Sequence, residues 1–141
     1  MKTMGEGVVD KVKGYINAND RLARFLGIEI VDIGPGTASA RMRLKEEHTN
    51  SLGMAHGGTL FALADLAFAA ACNSHGNVAL GVQASIHFHR PVSTGMLTAV
   101  AIELFGEGRM ASYLVEVRDE SARLVASFQG LAYRKKDPLP C

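Results

Sequence analysis

Two cysteines in 141 residues, Cys72 within an apolar stretch and Cys141 at the last position, provide no disulfide framework. Excess charge is missing as well. Fifteen basic residues stand against fourteen acidic ones, a net +1, so nothing points to nucleic acid, and no polybasic stretch points to a membrane surface. The one basic cluster, Arg134, Lys135 and Lys136, precedes a proline-broken stretch, and residues 134–141 read as a solvated C-terminal tail. No apolar run is long enough to span a bilayer: the longest, residues 60–72, is short and is interrupted by Asp65. Residues 1–13 carry no apolar segment of the signal-peptide kind. These absences together predict a cytoplasmic protein. Repeats, low-complexity segments and linkers are also missing, so residues 1–141 read as a single domain. Its composition, 48% hydrophobic and 21% charged, is that of an ordinary globular chain.

What is present organises readily. Val8, Val12, Tyr15 and Ile16 fall at helical spacing, and a second short turn over 20–26 ends at Gly27, so residues 1–26 form a helical N-terminal segment. "IEIVDI" alternates like a strand, the turn "GPG" follows, and "TASARMRL" alternates again. A polar stretch over 45–54 leads into a helix that begins near His56 and ends between 73 and 76. Four strand-like segments come next, at 78–89, 97–105, 110–118 and 123–133. Their connections, "PVSTG", "GEGR" and "DESA", suit antiparallel hairpins. One long buried helix with about six antiparallel strands is an α+β pattern, the sheet wrapping one side of the helix. The helix is apolar on every side, so its open side needs a cover, and a second subunit is the simplest.

Within "HTNSLGMAHGGTLFALADLAFAAACNSHG" lies the pattern N-x5-HGG-x6-D, opening the apolar helix; "ASIHFHRPVSTG" follows with its Arg-Pro pair. Over residues 22–133 the chain resembles the hotdog-fold acyl-CoA thioesterases of the phenylacetic acid degradation (PaaI-like) group. The resemblance implies a hotdog fold, dimers that often pair into tetramers, and hydrolysis of acyl-CoA thioesters without metal or organic cofactor. The hydratase and dehydratase branches of the fold are far less similar, because their arrangement of His and Asp/Glu is absent here.

The chemistry of the residues agrees. The first N–H groups of a helix lack internal partners and point along the positive end of the dipole. Gly57, without a Cβ, lets a carbonyl approach its amide, which makes that N–H a candidate oxyanion donor. The bland alternative is that Gly57 and Gly58 merely permit a tight turn. Asp65 is the candidate general base or nucleophile, since an apolar setting raises a carboxylate's pKa and strips its hydration; the alternative is an aspartate hydrogen-bonded inside an interface. Gly57 and Asp65 are eight positions apart, about 12 Å along one helix, beyond joint reach of one carbonyl and its water. If both act, they come from different chains, in a composite site where two antiparallel helices meet.

Other residues complete the candidate set. Asn50 matches the asparagine ahead of HGG and is read equally as a contact to substrate, water or His56 and as a loop cap. His56 is expected to orient the loop, with Gly58 beside the substrate. Gln83, on the strand after the helix, is a candidate for holding the water, although the resembling family often has a small hydroxyl residue near this position. Arg90 and Pro91 resemble the region that meets the pantetheine or nucleotide of CoA, where Arg90 would pair a phosphate; an exposed strand-end arginine is the alternative. His87 and His89 alternate on one strand face with His75 nearby in sequence, but no third ligand at a characteristic spacing accompanies them, so no metal is expected. Ser85, His87 and His89 should face away from the helix while Ala84, Ile86 and Phe88 pack on it. Met42, Met54, Met96 and Met110 read as core filler. A noncatalytic acyl-CoA-binding module is the competing function, disfavoured by Asp65, which a binder would not need. The acyl group itself stays open among aryl-acetyl, medium-chain and hydroxylated tails.

Overall fold

The computed structural model describes residues 4–141, with side chains from residue 7 onward; the first three residues of the expected N-terminal helical segment lie outside the described residues. The helices are α1 (Met4–Asn19), α2 (Arg21–Leu26) and α3 (Gly57–Asn73), with a 3-10 turn at Glu46–His48. The strands are β1 (Glu29–Gly34), β2 (Thr37–Arg43), β3 (Asn77–Phe88), β4 (Met96–Glu107), β5 (Met110–Arg118) and β6 (Leu124–Pro138). They form one antiparallel sheet in the order β1-β2-β4-β5-β6-β3, as the α+β reading predicts. The long strand β3 therefore sits at one edge, and only its β6 side is paired.

The sheet wraps α3. Leu97, Ala99 and Ala101 of β4, Val115 and Val117 of β5, and Ala126 and Phe128 of β6 are fully or almost fully buried. Small residues on the strands leave room for the bulk on the helix. The Phe68 ring enters a slot over Gly81 of β3 and Gly130 of β6, where an added Cβ would lie 2.8 Å and 2.7 Å from ring carbons. It also meets Tyr113 and Phe128 at centroid distances of 5.5 Å and 5.6 Å. No side chain larger than glycine fits that slot without moving the ring.

The open side expected of α3 is present in the single chain: Phe61, Ala62 and Ala69 are half-buried, and Gly58 and Asp65 are exposed. Positions 58, 62, 65 and 69 fall on one helical stripe, and a helix packed on a single sheet keeps one side free. Two expectations need correction, the tail and the methionines. Residues 134–138 are not tail but the end of β6, because the beginning of β3 offers them a partner: Ala79 stands opposite Arg134 and Asn77 opposite Pro138. Beyond them Leu139 N–H donates to the Gly76 carbonyl at 2.9 Å. Of the four methionines only Met42 is buried; Met110 is exposed on the outer sheet face. Among the described residues no helix is long and apolar enough to cross a membrane.

Candidate active site

The site begins with a tightly tied loop. After Arg43 the chain turns through Glu46–His48, where the buried His48 ring accepts the Lys45 N–H through Nδ1 at 3.0 Å. The His48 carbonyl then accepts both the His56 N–H and the Thr59 hydroxyl, at 2.9 Å each. Asn50 Oδ1 accepts the Leu52 and Met54 amides at 2.9 and 3.1 Å, which fixes that oxygen as a loop cap and leaves the side-chain NH2 for the groove it lines. Of the two readings of Asn50, these bonds show the loop cap.

His56 is the N-cap of α3, its Nδ1 accepting the Gly58 N–H at 2.9 Å. The Thr59 and Leu60 amides turn back to the His56 carbonyl. Among the described residues that leaves the Gly57 N–H, alone in this first turn, with no protein acceptor. It opens onto a groove of about 450 Å³ lined by Asn50, Met54, Gly57, Phe88, Arg90 and Pro91 among others. The Phe88 ring is one wall, 3.2 Å from where a Cβ on Gly57 would lie. Ala55 N–H donates to the Val92 carbonyl at 2.7 Å and holds the other wall in place.

Asp65 is elsewhere. It lines a separate depression of about 70 Å³ between α2 and α3, with Asp20, Leu22, Ala23, Ile28 and Leu66. Its carboxyl reaches solvent in the single chain, yet desolvation by the surrounding protein, followed by the charge of Asp20, raises its pKa above the usual carboxylate range. The structure therefore brings Asn50, Gly57, Arg90 and Pro91 together and keeps Asp65 apart from them. Two turns of α3 separate the groups, as the helix rise requires.

Gln83 joins neither depression. A bulge between Gly81 and Gln83 precedes it, and its register with Leu131 places it on the outer sheet face with Ser85 and His87. His89 also turns outward, its ring hydrogen-bonded to the Ser127 hydroxyl. On the inner face Ile86 packs against the core and Phe88 lies over Gly57, whereas Ala84 stays exposed. His75 is remote from the other two histidines, paired with Glu103 at 3.4 Å beyond the far end of α3.

At that far end sits a polar cluster absent from the sequence expectations. Glu103 accepts from Arg134 Nη2 at 2.6 Å and from the buried Tyr113 hydroxyl at 2.7 Å. Burial alone would raise the Glu103 pKa, but hydrogen bonds from Tyr113 and His75 and the charge of Arg134 hold it below the usual range. Nearby, burial pushes the Cys72 thiol up to about 12, so it is an inert core residue. The signal for Glu103 lay in parity: Leu97, Ala99 and Ala101 face inward, and position 103 follows them. Asp20 and the anchoring His48 had no comparable signature.

The Thioesterase superfamily family model matches residues 52–126. A putative esterase of Archaeoglobus fulgidus is 39% identical over 134 residues, covering 94% of this chain and 87% of that protein. The acyl-coenzyme A thioesterase PaaI of Escherichia coli is 35% identical over 117 residues, 82% of this chain and 84% of its own. The solved structure of E. coli PaaI, from the phenylacetic acid degradation operon, superposes with a TM-score of 0.90 at 32% identity, covering 94% of this chain and 96% of that one.

Proposed function

This chain belongs to the thioesterase superfamily and is a thioester hydrolase of its PaaI-like hotdog branch, and from that premise we propose that it hydrolyses acyl-CoA to free acid and CoA in a site shared by two chains. The Gly57 N–H of one chain receives the thioester oxygen, with the Asn50 NH2 alongside and the His56 ring holding the loop. Gly58 packs beside the substrate, and Arg90 and Pro91 border the CoA arm. Asp65 of the other chain takes a proton from water as that water attacks the carbonyl carbon. The oxyanion forms against the Gly57 amide, the carbon–sulfur bond breaks, and the proton on Asp65 goes to the departing thiolate. A direct attack by the carboxylate, with water then cleaving the anhydride, uses the same residues. Gln83 contributes only if pairing at the β3 edge turns it toward the partner's groove. The free thiols of Cys72 and Cys141 suit a reducing cytoplasm.

One observation carries the two-chain reading: Gly57 and Asp65 occupy different depressions of one chain, two helical turns apart. The open β3 edge and the uncovered stripe of α3 offer the contacts for a two-fold dimer, β3 against β3 and helix against helix. Mixing Asp65→Asn with Gly57→Pro tests it. Proline suits the first helical position and removes the donor, and the half-exposed Phe88 ring can yield to it. Each variant alone should be nearly inactive. Co-refolded mixtures should recover up to about a quarter of wild-type activity, since half the dimers are mixed and each holds one intact site. No recovery, with mixed dimers confirmed by mass spectrometry, would show that both groups act from the same chain.

A further inference from the structure

Charge divides the two half-sites. The Gly57 groove is lined by Arg90 and by no acid. The Asp65 depression carries two carboxylates, Asp65 and Asp20, in an otherwise apolar lining that includes Leu22, Ala23, Ile28 and Leu66, and no cation. Arg24 of α2 is turned away to the Ala18 carbonyl at 3.2 Å. A thioester spanning both halves has one polyanionic arm and one acyl arm. Only one orientation keeps the phosphates of CoA clear of the carboxylates. Resting on the acyl-CoA reading above, we infer that the acyl tail runs toward α2 and that Asp20 restricts this enzyme to acyl groups without a carboxylate.

Asp20 is built to stay where it is. It is the N-cap of α2, its Oδ1 accepting the Ala23 N–H at 3.0 Å, while its own N–H donates to the Ile16 carbonyl at 2.9 Å. Gly27 closes the other end of α2 in the left-handed conformation, its amide bonded to the Ala23 and Arg24 carbonyls. A carboxylate fixed in this way cannot swing aside for a second one. The depression, at about 70 Å³, admits only about two or three non-hydrogen atoms at roughly 30 Å³ each. A longer tail must lie along its rim, where Leu22 is 61% exposed and the neighbouring α2 residue Phe25 86%. Those side chains give an apolar tail a surface to cover and give a charged one no partner. Asp20 thus acts by repulsion, a specificity device directed at the wrong substrate rather than a contact to the right one.

Steady-state kinetics on matched pairs test this: butyryl-, hexanoyl- and octanoyl-CoA, each against the dicarboxylic counterpart of the same length, succinyl-, adipyl- and suberyl-CoA. Wild-type kcat/KM should favour the neutral member by at least about thirtyfold. Asp20→Asn, which preserves the cap, should narrow that ratio by roughly tenfold, the scale of one nearby like charge. Leu22→Arg, on the exposed rim, should narrow it further by raising turnover of the acid. A wild-type ratio near one, or a ratio that neither substitution moves, would overturn the inference while leaving the acyl-CoA reading intact. An enzyme that turns over no acyl-CoA of any kind would end both.

Discussion

Asp65 and Glu103 are both carboxylates at the margins of the core, and their surroundings push them in opposite directions. For Asp65 desolvation and the Asp20 charge raise the folded pKa above the ordinary value of 3.8. Between those two values the native state holds more protons than the unfolded chain, so stability falls as pH rises through the window. Asp65→Asn should therefore melt at a higher temperature than wild type at pH 8, with the difference vanishing below pH 4. The same variant should lose at least about a hundredfold in kcat, the lower bound for removing a general base. A variant that gains stability and loses turnover marks a residue kept for chemistry. Glu103 has the reverse sign. Its folded pKa lies below the ordinary 4.5, so the stability it contributes is complete above that value and disappears as pH falls through the lowered one. Glu103→Gln should cost about 1–3 kcal/mol at pH 7, because its neutral amide oxygen replaces the charged acceptor of Arg134 and Tyr113, and should converge with wild type in acid; urea titrations at the two pH values would measure both. Asp65 was legible in the sequence because a lone charge in an apolar helix stands out. The pairing of Glu103 was not, because Arg134 is 31 residues away and read as part of a solvated cluster.

At the scale of elements the sequence was a good guide where local patterning decides. Five of the six strands, the helix after the HGG turn and the Gly27 stop lie within a few residues of expectation, since alternation, glycine caps and hairpin turns are local signals. The departures come where another element decides. Strand β6 overruns its expected end because β3 pairs with it. The fit of Phe68 between strands was equally hidden, since Gly81 and Gly130 gain their meaning only once their strands lie side by side. Gly130→Ala places a methyl 2.7 Å from two carbons of the ring. It should destabilise by about 1–3 kcal/mol through overpacking, seen as a lower urea midpoint with an unchanged m-value.

For the whole molecule the informative element is the unpaired strand. Val82 on β3 is 56% exposed, so Val82→Lys should change single-chain stability by no more than about 0.5 kcal/mol. If β3 pairs with its own copy about a two-fold axis, the substitution sets two lysines near each other across the joint. The expected result is a shift from dimer to monomer in sedimentation velocity, with activity falling in parallel. A fully active Val82→Lys dimer would mean that the chains meet by another surface. Half of the site was legible from motif spacing, and the helix rise foretold that its halves would be apart. The contribution of α2 was not, because nothing in "NDRLARFL" announces that it will lie against α3.

The placement of β3 also sets the order in which this protein can be completed as it is made. Every other strand pairs with one that precedes it or soon follows it, but β3 waits for β6, the last of the six strands in chain order. At about 5–20 residues per second, that wait is on the order of several seconds. Throughout it Leu80, Val82 and Phe88 stand on a strand with no neighbour, and the slot for Phe68 lacks its second wall. A message truncated before residue 124 would yield a nascent chain that holds its most apolar helix and no means of closing over it, a natural client for a holding chaperone.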